Sequence, residues 1–302
     1  MTDAFAHSHR DHAPSMLPAA SCAVHGARST GEVQRFWVST VMLWLLLAAG
    51  VALLSACAGA PASATTTTAE PITDSDEPET RKRARIRLEL ASSYFEQGQN
   101  TVALDEIKQS LAADPGYGPA YVLRGLVYMR LNDARLAEDS FRRALQINPR
   151  DPDALHNYGW FTCNQNRYTE AIPLFTRALA SPVYGGQAKT YMAKGICQSR
   201  MGQLAEAEGS FARSYELDAA NPITGYNLAA LLFKRGDDTR AQFYIRRLNN
   251  SDLANAETLW LGIKVERKLN NNAAVGQLAQ QLERRYPKSR EWAAYQRGSF
   301  HE

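Results

Sequence analysis

The chain has 302 residues, and its 34 lysines and arginines nearly balance 31 aspartates and glutamates, which gives a formal net charge of +3. A charge so close to balance gives no indication of a nucleic-acid-binding surface, so we expect no nucleic-acid partner. Four cysteines are too few to hold together a disulfide-dense fold.

The chain begins with a targeting region in two parts. Residues 1–35 form a polar leader that we expect to be disordered, and its place ahead of an export signal suggests a start codon assigned too far upstream. Residues 36–57 contain the apolar run FWVSTVMLWLLLAAGVALL and end in Leu-Ser-Ala-Cys. A basic flank, an apolar stretch and small residues before a cysteine are typical of a secretory signal peptide. The tetrapeptide resembles the bacterial lipobox, which predicts lipidation of Cys57.

A membrane-spanning anchor is the alternative for this segment, because the apolar run is long enough to cross a bilayer. We favour the lipoprotein, since an anchor that is not processed has no need of small residues followed by cysteine. Ala58 follows Cys57, and in lipoproteins with this pattern the absence of aspartate at that position implies sorting to the outer membrane. We therefore expect a lipid-anchored protein on the periplasmic face of the outer membrane.

Residues 58–80 are rich in alanine, threonine, proline and acidic residues and poor in bulky apolar ones. Such a composition predicts a flexible linker between the lipid and the folded part of the chain. The basic run Arg81–Arg87 that follows is expected to lie on a solvated helix, and contact with an anionic membrane surface is the alternative.

The rest of the chain has a period of about 34 residues. Six alanines recur at intervals of 34, 34, 36, 34 and 33, and they are Ala103, Ala137, Ala171, Ala207, Ala241 and Ala274. Each follows a small residue by twelve positions and precedes a bulky apolar residue by four. The small residues allow two helices to approach closely, and the bulky residue fills the gap against the next unit. This pattern predicts an all-α tetratricopeptide-repeat (TPR) superhelix of about six helix–turn–helix repeats.

The predicted repeat region covers residues 81–288, with repeats at 84–117, 118–151, 152–187, 188–221, 222–254 and 255–288. Repeat three has a two-residue insertion near Ser181–Gln187, which predicts a longer turn. Repeat six has Leu269 where the glycine of the turn is expected. Residues 289–302 are predicted to form a C-terminal capping segment, in which Trp292 and Tyr295 cover the end of the stack.

The predicted functional surface is the concave groove lined by the first helix of each repeat. Positions 5, 9 and 12 of each repeat project into this groove and are largely apolar. Their apolar character favours a partner-binding groove, and packing between repeats is the alternative. Two asparagines at position 6 can hydrogen-bond the main chain of a bound peptide, and solvation of the helix surface is an equally good explanation. The predicted groove residues are Leu88, Phe95, Val122, Leu126, Met129, His156, Asn157, Trp160, Met192, Ile196, Tyr226, Asn227 and Phe233.

Cys163 and Cys197 lie in the first helices of adjacent repeats, so a disulfide is geometrically possible and the oxidising periplasm favours it. Two ordinary buried thiols are the alternative. The sequence has no GxSxG, HExxH, Walker or CxxC motif, and only His156 and His301 follow the predicted signal peptide. We therefore expect no catalytic residue, no metal site and no cofactor.

Three stretches carry a resemblance to a known family: HNYGWFTCNQNRYTEAIPLFTRAL (156–179), NPITGYNLAALLFKRGDDTRAQFYIRRL (221–248) and LWLGIKVERKLNN (259–271). They resemble the PilF/PilW lipoproteins of type IV pilus biogenesis, and the likeness spans about residues 54–290. The resemblance implies a pilotin, an outer-membrane lipoprotein that helps subunits of the secretin PilQ reach the membrane and multimerise there. Pilus extrusion and twitching motility would follow from that role. A general periplasmic TPR scaffold for another envelope complex is the alternative.

Overall fold

A computed structural model describes residues 76–300, so the predicted leader, the signal peptide, Cys57 and most of the predicted linker lie outside the described residues. Within that range the chain forms thirteen α-helices and no strand. None of these helices has both the length and the apolar character needed to cross a membrane. The helices are α1 (Glu79–Glu96), α2 (Asn100–Ala113), α3 (Gly118–Arg130), α4 (Ala134–Ile147), α5 (Pro152–Asn164), α6 (Tyr168–Leu179), α7 (Gln187–Arg200), α8 (Leu204–Leu217), α9 (Pro222–Lys234), α10 (Asp238–Asn249), α11 (Ala256–Lys268), α12 (Asn272–Arg285) and α13 (Arg290–Arg297).

Helices α1 to α12 pair in chain order as six helical hairpins, and each hairpin packs against the next one. The predicted all-α TPR architecture is confirmed. The first helix of each hairpin also contacts the first helix of the following hairpin, so the odd-numbered helices form one continuous face. We call the surface of α1, α3, α5, α7, α9 and α11 the first-helix face, and the surface of their partners the second-helix face.

Close approach within each hairpin explains the small residues of the repeat pattern. In repeats two to four a glycine of the first helix lies against a buried phenylalanine ring of the second, and a Cβ at Gly125 would lie 2.6 Å from the Phe141 ring. The other two pairs of this kind are Gly159 with Phe175 and Gly195 with Phe211. In repeats one and five the pairs are Ala91 with Ile107 and Ala229 with Ile245, all fully buried. Alanine thus pairs with isoleucine, whereas the smaller glycine pairs with the larger phenylalanine. The summed volume of the two side chains stays nearly constant.

The six hairpin turns share a residue with left-handed backbone: Gly98, Asn132, Asn166, Gly202, Gly236 and Asn270. The position predicted for this residue in repeat six, Leu269, is wrong. Leu269 has φ −85°, whereas Asn270 has φ 57°. Asparagine tolerates the left-handed region because its short polar side chain can hydrogen-bond locally, so the turn needs no glycine there.

The two ends of the described region also differ slightly from the expectation. The last two residues of the predicted linker are helical, because α1 already begins at Glu79. Pro78 precedes the helix in an extended conformation, and a carboxylate in the first turn favours a helix N-terminus. At the other end α13 occupies part of the predicted capping segment, with Trp292 stacked on Tyr295 at 5.3 Å between ring centroids. This helix packs on the last repeat.

Candidate functional site

The predicted groove residues lie on the first-helix face with two exceptions. Eleven of the thirteen are half-buried, so each presents part of its side chain to solvent. Val122 and His156 are only 8% and 9% exposed, so the structure places them inside the stack and corrects the expectation for both. The accessible part of the predicted groove is therefore made by Leu, Phe, Met, Trp, Ile, Tyr and Asn side chains.

Packing between repeats accounts for one side of most of these residues. Eight of them pack against buried core residues of their own or the neighbouring repeat, and they are Leu88, Phe95, Leu126, Met129, Trp160, Ile196, Tyr226 and Phe233. Their other side is open, since none of the eight is fully buried. The core therefore positions these side chains while the face leaves them partly exposed, and partner binding by this face stays a prediction.

His156 is a structural residue of the junction between α5 and α7. Its Nδ1 lies 2.8 Å from Thr190 Oγ1, a hydrogen bond to the next repeat. Burial lowers the pKa of His156 to about 4, and the positive charge of Lys189 acts in the same direction. The imidazole is therefore uncharged at neutral pH. A single helix pattern could not reveal this burial, since it depends on the neighbouring repeat.

The two predicted groove asparagines use their amide donors within their own helices. Asn157 Nδ2 donates to Asp153 O, and Asn227 Nδ2 donates to Ile223 O, each at 2.8 Å. An amide nitrogen carries two N–H groups, so each side chain keeps a second donor for another acceptor. The geometry is therefore compatible with both explanations, and binding of a peptide main chain by these asparagines stays a prediction.

Arginines border two aromatic residues of the face, and the helical pattern of the sequence did not predict them. The guanidinium of Arg130 lies 3.6 Å from the centre of the Phe95 ring, and that of Arg200 lies 5.8 Å from Trp160. A cation over an aromatic face is attracted by the ring quadrupole. Each cation comes from the repeat that follows its aromatic partner, so only alignment of the repeats one period apart could have revealed the pairs.

A cavity of about 380 Å³ lies at the C-terminal end of the first-helix face. Tyr226 of α9, Trp260 and Lys264 of α11, and Arg290 of α13 are among its lining residues. Burial lowers the pKa of Lys264. The cavity belongs to the same surface as the predicted groove, because Tyr226 contributes to both.

The two cysteines meet between α5 and α7. Both are fully buried, their Cα atoms are 5.9 Å apart, and their sulfur atoms are at bonding distance. This Cα separation is typical of disulfides. Each side chain projects from a first helix toward the other, so positions 12 and 10 of adjacent repeats face each other here.

The basic run at the start of α1 is largely neutralised by neighbouring carboxylates. Arg87 pairs with Glu106 at 2.9 Å, and Arg81 pairs with Asp114. Arg85 lies within ion-pair distance of two further glutamates. These contacts favour the solvated helix over membrane contact. Residues 76–300 contain no group of three histidine, cysteine or acidic side chains able to hold a metal ion.

Comparison with known proteins agrees with this architecture. A tetratricopeptide-repeat family model matches residues 88–154, 122–188 and 163–222. The chain is 27% identical over 209 residues to the type IV pilus assembly protein PilF of Pseudomonas aeruginosa, covering 69% of this chain and 83% of that protein. The crystal structure of PilW, described as a widely conserved type IV pilus biogenesis factor, is 30% identical with a TM-score of 0.65, and 70% of this chain and 97% of that one are covered. The structure of Pseudomonas aeruginosa PilF is 25% identical with a TM-score of 0.68, covering 73% of this chain and 100% of that one.

Proposed function

We propose, because the chain belongs to the PilF/PilW family of TPR proteins of type IV pilus biogenesis, that it is a non-enzymatic pilotin. In this role it is an outer-membrane lipoprotein that binds secretin subunits and promotes their localisation and multimerisation. The observation that carries the binding role is the first-helix face, where half-buried apolar side chains recur on first helices that each contact the next one. Contiguous exposed apolar surface usually marks a protein-binding site.

The chemistry of the face indicates what it binds. Methionine and aromatic side chains adapt to a partner that inserts an amphipathic helix or an extended apolar segment. The arginines beside Phe95 and Trp160 give the apolar surface a basic border. A partner segment with an apolar stripe and acidic residues at its edge is the best match to this surface.

The proposed anchor complements this surface. Lipid on Cys57 would hold the protein at the outer membrane, and residues 58–80 would let the repeats search for secretin subunits nearby. Attachment to the same membrane raises the effective concentration of the two partners, which increases binding without any new contact. Several acyl chains would anchor the protein stably, whereas a single chain binds only weakly.

Replacing the proposed lipidation site tests the anchor in cells. In a bacterial strain that lacks the native gene, we expect the wild-type chain to restore secretin multimers in the outer-membrane fraction. A Cys57→Ala variant should fold normally but no longer fractionate with the outer membrane, and secretin multimers should fall several-fold. A Cys57→Ala protein that still fractionates with the outer membrane and supports multimers would refute the tether.

The alternative role, a periplasmic scaffold for another envelope complex, gives a different result in the same cells. Loss of the gene would then leave secretin multimers unchanged while a different assembly fails. The outer-membrane location of the wild-type chain would not distinguish the two roles, so the secretin multimer is the deciding measurement.

We further propose that Cys163 and Cys197 form a disulfide in the exported protein. The Cα separation of 5.9 Å and complete burial of both residues support it. Protein purified from the periplasmic side should show no free thiol at these positions when it is denatured without a reductant, and reduction should add two hydrogen masses. Alkylation of both cysteines before reduction would contradict the disulfide.

A further inference from the structure

The cavity of about 380 Å³ at the C-terminal end of the first-helix face is built by three helices, and we call it the C-terminal cavity. Helix α9 contributes Tyr226, α11 contributes Trp260 and Lys264, and α13 contributes Arg290 and Arg297. Helix α13 contacts both α11 and α12, just as the first helix of a repeat contacts both helices of the repeat before it. The cavity thus continues the first-helix face beyond the last repeat, and its volume is that of an ordinary ligand pocket.

Repeats five and six, together with α13, carry the whole net charge of the described part of the chain. Residues 222–300 contain thirteen lysines and arginines but only seven aspartates and glutamates, an excess of six positive charges. Residues 76–221 contain eighteen of each kind, so their charges balance. A positive potential at one end of the array attracts an acidic partner and raises the rate of encounter at that end.

The two carboxylates that line the cavity are held by one arginine. Arg290 donates to Glu257 at 2.8 Å and to Glu291 at 2.6 Å. Lys264 and Arg297 add two further positive charges, so cations outnumber carboxylates by three to two in the lining. An acidic ligand therefore meets an excess of positive charge, whereas a basic ligand would have to compete with Arg290 for the carboxylates.

Lys264 is half-buried, while Arg290 and Arg297 are exposed. The Lys264 Nζ lies 5.6 Å from the centre of the Trp260 ring. Burial lowers the pKa of Lys264, so its charged form is less well stabilised here than in water. An ammonium group has three N–H donors, so Lys264 can bind a carboxylate in addition to the contacts that it makes within the chain. A carboxylate at this position would restore the stabilisation that burial removes.

We propose that the C-terminal cavity binds an aspartate or glutamate side chain of an acidic partner polypeptide. The carboxylate accepts a charge-assisted hydrogen bond from Lys264, and Arg297 supplies a second positive charge. The neighbouring part of the partner segment packs on the half-buried Tyr226. Because the cavity is recessed between three helices, a side chain reaches Lys264 more readily than the headgroups of a flat membrane do.

The proposal rests on the proposed function, in which the first-helix face binds the partner. It adds the residue type that the partner supplies at the C-terminal end of that face.

Matched peptides test the chemistry of the site. The acidic probe is acetyl-Gly-Phe-Glu-Asp-Phe-Gly-amide, whose only charges are its two side-chain carboxylates. One control replaces the acidic pair by glutamine and asparagine, which have the same shape without the charge, and the other replaces it by two lysines. Calorimetric titration of the purified, detergent-solubilised chain at low salt should give saturable binding of the acidic probe. Both controls should bind at least about tenfold more weakly, because charge-assisted hydrogen bonds are the strong ones.

The pKa of Lys264 reports whether the carboxylate enters this cavity. A bound carboxylate should raise the pKa of Lys264, because a nearby negative charge favours the charged ammonium. NMR titration of lysine side chains labelled with carbon-13 measures the pKa with and without the acidic probe, and the signal of Lys264 is assigned with Lys264→Met. The pKa of Lys108 in repeat one should not respond to the probe.

Two variants test the location. Lys264→Met should fold normally, as checked by circular dichroism and melting temperature, and lose at least about tenfold in affinity for the acidic probe. Arg297→Gln removes an exposed charge, so the loss should be smaller, about threefold. Lys108→Met removes an equal charge from repeat one and should bind as the wild type does. If one cavity variant fails to fold, the other decides.

Equal affinity for the acidic probe and its uncharged control, an unchanged pKa of Lys264 at saturating probe, or wild-type affinity of folded Lys264→Met would each overturn the proposal. Binding of phosphatidylglycerol vesicles that depends on Lys264, without binding of the acidic probe, would also overturn it in favour of a lipid site. Failure of the proposed function gives a different result, because a wild-type chain that does not bind secretin would still bind the acidic probe.

Discussion

Replacing Phe211 by alanine should lower the free energy of unfolding by about 3–5 kcal/mol. The Phe211 ring is 1% exposed and fills the space that a side chain at Gly195 would occupy. Truncation would therefore leave a cavity between two helices that cannot easily move together. Loss of the transfer energy of the ring and of its contacts both contribute. Chemical denaturation followed by circular dichroism measures the change.

Phe243 provides the matched control for this experiment. It lies in the second helix of the next repeat, but 61% of it is exposed. Phe243→Ala should therefore change the free energy of unfolding by no more than about 0.5 kcal/mol. Similar losses for the two variants would contradict the assignment of the Phe211 ring to the core of the stack.

Protonation of His156 should remove up to about 3 kcal/mol of stability as the pH is lowered from about 6.5 to 4. In the folded protein the pKa of His156 is lowered to about 4, mainly by burial, from a reference value of 6.5. Between these values the unfolded chain binds a proton that the folded chain does not, so protonation favours unfolding. Above about pH 6.5 neither state is protonated, and the contribution of His156 no longer changes.

The pH dependence can be assigned by comparing the wild type with His156→Gln in denaturant titrations at pH 7.0, 5.5 and 4.5. The variant should lose stability at pH 7 but show a much flatter dependence over this range. Glu138 does not interfere, because the hydrogen bond from Arg167 lowers its pKa to about 2 and its contribution is lost only below about pH 4.5. Equal slopes in the two proteins would show that His156 is not buried as described.

The fold could be predicted from the sequence because its packing rule repeats. The alanines, the small residues and the bulky residues recur in phase, and each has a direct partner within its own hairpin, as Gly125 has in Phe141. Because this local pattern recurs six times, it can be recognised in a single sequence without an alignment. The misplaced turn residue of repeat six, Asn270 instead of Leu269, arose where the spacing of the alanines drops from 34 to 33.

The candidate site was predicted less completely, because its details depend on contacts between repeats. Whether position 5 of a repeat is accessible depends on the first helix of the next repeat. The pattern of a single helix predicts an exposed His156, but Thr190 of the next repeat covers it. The arginine beside Trp160 lies 40 residues further along the chain, beyond the reach of a helical pattern. The facing positions of Cys163 and Cys197 could be considered from sequence, but only the stacking of α5 on α7 brings the two side chains together.

Measuring the affinity of the purified protein for secretin subunits decides whether the first-helix face is a secretin-binding surface. Trp160 is the largest half-buried side chain of the first-helix face, and loss of an aromatic hot-spot residue typically costs about 2 kcal/mol or more in binding. We expect saturable binding by the wild type, about 30-fold weaker binding by Trp160→Ala, and unchanged binding by Phe243→Ala on the second-helix face. Absence of secretin binding by the folded wild type, or equal affinity of the wild type and Trp160→Ala, would contradict this expectation.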